Sequence, residues 1–111
     1  MKEKIDLFIE LSLQQCKKDD YVDSKKIKIH NKAVEELSKL KAEINITESE
    51  DMMQTLLLHN DSRVKINASQ CCFEKYILVE QAKATLENVI KTEVDSTLIF
   101  SAEQLLKQYT N

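Results

Sequence analysis

The sequence predicts an all-α fold, a short α-solenoid of about six helices in three antiparallel pairs, on three observations. Neither glycine nor proline occurs in 111 residues, where average usage of about 7% and about 5% would supply roughly a dozen of the two. Apolar residues recur at helical spacing along most of the chain. One pattern also returns: Asp61, Val64, Ala68, Cys71 and Cys72 are matched 34 residues later by Asp95, Leu98, Ala102, Leu105 and Leu106. A period of that length is typical of two-helix units that cannot bury their apolar faces alone and must stack on neighbours. In each copy the aspartate is a candidate N-cap, and the small alanine one turn into the apolar stripe lets helices approach closely. At this length residues 1–111 form a single helical-repeat domain.

Helix one is expected over Glu3–Lys17, with Ile5, Phe8, Ile9, Ser12 and Cys16 on one face and Leu13 widening it. Asp19, Asp20 and Asp23 form an acidic connection, and Asp23 or Ser24 caps a long helix two that reaches Glu43 or Ile44. Its inward face is Ile29 or His30, Ala33, Val34, Leu37, Leu40 and Ile44. Thr47 and Glu50 have capping-box spacing and open helix three, with Met53, Leu56 and Leu57 inward. Helix four follows the turn HNDS. Helix five covers Val79–Lys91 through Ala82, Leu86, Val89 and Ile90, and helix six covers Ser96–Tyr109. The apolar Tyr76-Ile77-Leu78 must then turn the chain between helices four and five.

Leu56-Leu57, Asp61-x-x-Val64-Lys65-x-x-Ala68 and the pair Cys71-Cys72 resemble a HEAT-type repeat. With Asn31 and Leu37 in the preceding long helix, the chain is also similar to a family of short bacterial HEAT-like proteins of unknown function. The resemblance covers roughly residues 31–106 and implies the helical-repeat fold without implying an activity. The chain departs from the usual pattern in lacking turn prolines and glycines, in Lys65 where arginine is usual, and in Ile99.

The missing glycines also exclude chemistry. A phosphate-cradling loop, a dinucleotide-binding turn and a nucleophile elbow each need backbone geometry that a Cβ obstructs. No Cys-x-x-Cys or His-Glu-x-x-His spacing is present, so neither a metal nor another cofactor is expected. Cys71 and Cys72 diverge by about 100° on a helix, and all three cysteines read as buried thiols. His30 falls on the helix-two stripe and reads as a core or boundary histidine. His59, in the turn, reads as a cap or packing residue. Glu35-Glu36 and Glu50-Asp51 point apart as neighbours and read as solvated faces. The chain is expected to be no enzyme.

Charged residues interrupt the opening stretch, and no segment approaches the ~20 apolar residues of a membrane span, so a cytoplasmic protein is expected. Lysines 17, 18, 25, 26, 28, 32, 39 and 41 make the first part basic, but Arg63 is the only arginine and the net charge is −3, which argues against nucleic acid. Residues 44–111 hold ten acids and six bases, a local balance of −4. A binding module remains, expected to use a polar face on Arg63, Asn67, Gln70 and Glu74. The repeat mates of that face are Thr97, Ser101, Gln104 and Gln108, and its helix-two counterpart is Lys28, Lys32, Glu35 and Lys39. Ile66, Phe73 and Phe100 form a second apolar side. The specific expectation is an immunity protein that neutralises a toxin, a nuclease being the candidate, by setting Asp19, Asp20, Asp23, Glu48, Glu50, Asp51, Glu93 and Asp95 against a basic partner protein. The alternative is an adaptor in a larger protein complex.

Overall fold

Asp61 and Asp95 begin their helices as the spacing demands. The Asp61 carboxylate accepts from the Val64 N–H at 3.1 Å, and the Asp95 carboxylate accepts from the Thr97 and Leu98 N–H groups at 2.9 and 3.4 Å. Each satisfies orphan donors of a first helical turn. A computed structural model of the chain describes residues 2–110, the Lys18 side chain excepted; that lysine of the basic run therefore lies outside the described residues.

Six α-helices occur among them: α1 (Lys2–Leu13), α2 (Ser24–Glu43), α3 (Ile46–Leu57), α4 (Ser62–Lys75), α5 (Val79–Thr92) and α6 (Ser96–Thr110), with a 3-10 helix at Lys18–Val22. There is no strand among the described residues, so the fold class is all-α. No described helix is long and apolar enough to cross a membrane. The radius of gyration, 13.4 Å, matches the ~13 Å of a compact domain of this size.

The core is assembled on α4, which packs against α1, α3, α5 and α6. Val64, Ala68, Cys71 and Cys72 are inaccessible, and Ile66 and Phe73 on its other side are buried too. Phe73 stacks on Tyr109 of α6, ring centroids 4.7 Å apart. A helix enclosed by neighbours is apolar on more than one side. Ala102, Leu98 and Leu105 are buried at the positions matching Ala68, Val64 and Cys71. Phe100, the mate of Ile66, is instead exposed.

Several expectations are corrected. Helix one stops at Leu13, not Lys17, and leaves Leu13 half exposed. Beyond it the chain turns inward, where the Cys16 N–H donates to His30 Nδ1 at 2.7 Å and Cys16 Sγ lies 3.6 Å from the Lys26 carbonyl oxygen. Those tertiary bonds outweigh one further turn of helix. The acidic connection forms the 3-10 helix, closed by Asp20 accepting from the Lys17 N–H at 3.0 Å. On α2 the buried stripe is Ala33, Leu37, Leu40 and Ile44, with Val34 and Ile29 half exposed.

The α3 cap is Asn45 and not Thr47. Two capping-box patterns overlap there, and the structure uses Asn45–Glu48: Asn45 Oδ1 accepts from the Glu48 N–H at 2.9 Å, and Glu48 returns the bond to the Asn45 N–H at 3.4 Å. The link between α4 and α5 is tight. Tyr76 takes a left-handed conformation at φ 58°, and the Ile77 N–H donates to the Cys72 carbonyl oxygen at 3.0 Å. That geometry closes a helix end, normally on glycine.

Candidate functional site

The polar face read on α4 is only partly open. Asn67 Nδ2 donates to Ser12 Oγ at 2.9 Å and to Gln15 Oε1 at 3.3 Å, and Arg63 Nη2 donates to the Cys16 carbonyl oxygen at 3.1 Å. These bonds stitch the end of α1 onto α4, so Arg63 and Asn67 are buried rather than solvated. Gln70 is half buried and Glu74 exposed.

Two clefts open beside this face. One, of about 430 Å³ between α2 and α4, is lined by Gln15, Tyr21, His30, Val34, Leu37, Ser38, Lys41, Arg63, Asn67, Gln70 and Glu74. The other, of about 310 Å³ between α4 and α6, is lined by Arg63, Ile66, Asn67, Gln70, Phe100, Ser101, Gln104, Leu105 and Gln108. Arg63, Asn67 and Gln70 belong to both, so the clefts form one trough with α4 along its floor. Ser101, Gln104 and Gln108 stand in it as repeat mates of Asn67, Gln70 and Glu74. Thr97 is not among the lining residues; its carbonyl oxygen accepts from Ser101 Oγ at 3.0 Å.

The α2 wall is not the expected one. Lys28, Lys32, Glu35 and Lys39 are exposed and line neither cleft, and His30, Val34, Ser38 and Lys41 take their place. The helix is rolled so that Val34 faces the cleft. Lys41 Nζ bridges to Glu74 at 3.3 Å across its mouth.

His30 is held as an acceptor. Its Nδ1 receives the Cys16 N–H, its ring meets Tyr21 edge-on with centroids 5.8 Å apart, and burial, then the charge of Arg63, lowers its pKa. Both effects favour the neutral ring. His59 Nδ1 likewise accepts the Asp61 N–H at 3.0 Å, a packing role in the turn before α4.

The acids assigned to a partner lie on several segments of the chain, and several have local work. Asp20 pairs with Lys26 Nζ at 3.0 Å, and Asp23 caps α2 by accepting from the Lys25 N–H at 2.9 Å. Glu48 pairs with Lys4 Nζ at 2.6 Å. Glu93 accepts from Ser62 Oγ and from the Val94 and Asp95 N–H groups, tying the turn before α6 to the start of α4. Hydrogen bonds therefore hold the carboxyls of Asp20, Glu48 and Glu93 below their ordinary pKa, led by the Lys17 N–H, Lys4 and Ser62 respectively. Asp95 caps α6, and Asp19, Glu50 and Asp51 are exposed.

Cys16, Cys71 and Cys72 are free and buried. Burial raises all three pKa values, that of Cys72 to about 12, so none is a ready thiolate nucleophile. Among the described residues no group of three or more His, Cys, Asp or Glu could hold a metal ion.

The trough lay half hidden in the sequence. The 34-residue spacing identified its α4 and α6 residues, but Tyr21, Ser38 and Lys41 carried no pattern, and the burial of Arg63 depends on a segment more than 45 residues earlier. Comparison of the chain with family models, with curated proteins and with solved structures found no match.

Proposed function

We propose that the chain is a non-catalytic protein-binding module, a short HEAT-like α-solenoid of antiparallel helix pairs whose partner lies in the trough along α4. One observation carries this reading. Polar residues 34 positions apart, Asn67 with Ser101 and Gln70 with Gln104, line a single cleft between α4 and α6. Stacked helical repeats bind partners on such surfaces. Amides and hydroxyls offer hydrogen bonds in both directions and suit an extended partner segment.

In its most specific form the module is a cytoplasmic immunity protein that neutralises a basic toxin. The balance of −4 over residues 44–111 supports this through electrostatic steering, with Glu50 and Asp51 exposed in that stretch and Asp19 exposed before it. The test co-expresses the chain with the protein encoded beside its gene and records growth and complex formation. Rescue of growth with a one-to-one complex supports the immunity role. A complex without rescue assigns an adaptor instead, and nucleic-acid binding stronger than any protein binding overturns the module.

A further inference from the structure

Arg63 is a charged side chain that packing alone does not explain. The chain's only arginine, it is 8% exposed, its Nε is buried with no hydrogen-bond partner, and among the described residues no acid forms an ion pair with it. Its bond from Nη2 to the Cys16 carbonyl oxygen satisfies one part of a five-donor fork. Burial acts against its charge and lowers its pKa, and the fields of Asp61 and Asp95 are among those that offset this in part. Both serve as N-caps, and Asp61 also faces Lys17 Nζ at 3.8 Å.

A guanidinium buried this deeply is strongly destabilising unless an anion meets it. A lysine would shed its proton in such a place, whereas arginine cannot. The charge is thus permanent, and it lies where the two clefts meet.

The surroundings select the anion. Lys41 and Glu74 at the cleft mouth neutralise one another, leaving one net positive charge. The other polar groups lining that cleft are neutral, and they include three donors: the Tyr21 hydroxyl, the Gln70 amide and the His30 ring, whose proton sits on Nε2 because Nδ1 accepts a bond; Gln15, Ser38 and Asn67 add no charge. One charge with neutral donors matches a carboxylate, which a guanidinium also fits in shape. A doubly charged phosphate would be left half compensated.

We propose that the cleft between α2 and α4 is a recognition site for a single carboxylate, with the Arg63 guanidinium as its charged base and Tyr21, His30 and Gln70 as neutral donors. This deepens the binding-module reading and rests on the trough being the binding face. Its test uses no partner protein, so the two fail separately.

As the only arginine, Arg63 gives a single Nε–H resonance in a nitrogen-15 correlation spectrum of the whole chain. The probes are an acetylated tripeptide with a free terminal carboxylate, its C-terminal amide, an acetylated glutamate amide and inorganic phosphate, at constant ionic strength. The expected result is a saturable shift of the Arg63 resonance with either carboxylate source and none with the neutral amide. A response to the free chain end alone assigns that source, and a response to glutamate alone assigns a side chain. Arg63→Lys loses the fork and, in so dry a place, the permanent charge, so binding read on the backbone amides lining the cleft should weaken at least about tenfold. Should that variant not fold, the wild-type titration decides. No saturable shift with either carboxylate, an equal response to the amide, or tighter binding of phosphate would overturn the proposal.

Discussion

Asp61 and Asp95, 34 residues apart, each close the first turn of a helix by accepting the N–H three positions on, from Val64 and from Leu98. The two caps are also joined: Glu93, which accepts from the Asp95 N–H, accepts from Ser62, the residue after Asp61. Replacing either aspartate with alanine should cost about 1 kcal/mol, a fall in Tm of roughly 4–8 °C in a domain of this size. Thermal denaturation of Asp61→Ala and Asp95→Ala checks this, and an unchanged Tm in either would mean that its cap is not supporting the helix.

Ala68 and Ala102 are inaccessible at equivalent places in α4 and α6. A carboxylate forced into either contact has no partner, and breaking a packed interior in this way removes several kcal/mol of a total of ~5–15 kcal/mol. Ala68→Glu should leave the chain unfolded at 25 °C. By contrast, Phe100 is 61% exposed, and Phe100→Ala should stay within about 0.5 kcal/mol of wild type. Circular dichroism in urea separates the two outcomes.

Tyr76 is exposed and holds φ 58° at the end of α4. A bulky residue pays a steric cost there that glycine does not. Tyr76→Gly should therefore stabilise the chain by about 0.5–1 kcal/mol, offset in part by the added freedom of the unfolded chain. The urea midpoint is the measurement, and a decrease would place the useful contact in the tyrosine ring.

His30 gives the chain a pH dependence distinct from that of its carboxylates. Burial lowers its folded pKa below the ordinary 6.5, so the unfolded chain binds more protons between the two values. The stability it contributes is present above pH 6.5 and is lost as pH falls through the folded value, when protonation of Nδ1 also removes the acceptor for the Cys16 N–H. Asp20, Glu48 and Glu93, with lowered values, lose their contributions only below about pH 4.5. Urea midpoints at pH 7 and pH 5 should thus differ in wild type and differ less in His30→Gln. A His30 midpoint at or above 6.5 by proton NMR contradicts this assignment.

Helix class, the Asp23 and Asp61 caps and the buried alanines were legible in the sequence because each follows from local rules: spacing, cap chemistry and residue size. What escaped it depended on distant partners. The end of α1 is set by His30, the roll of α2 turns Val34 outward, and Arg63 is covered by Cys16. The overlapping Asn45–Glu48 and Thr47–Glu50 boxes show a different limit, since both satisfy the same rule and the structure uses the first. The site was legible to the extent that its residues repeat at 34, and the α2 wall lacks that pattern.

The central claim, that a partner lies in the trough, is tested most directly by calorimetric titration of the purified chain against the protein encoded beside its gene. Wild type is compared with Gln70→Glu and Gln104→Glu, which place charge at half-open and exposed trough positions without touching the core. The account predicts one-to-one binding, weakened at least about tenfold by either substitution. Binding of equal strength in all three proteins, or none in wild type, would contradict it.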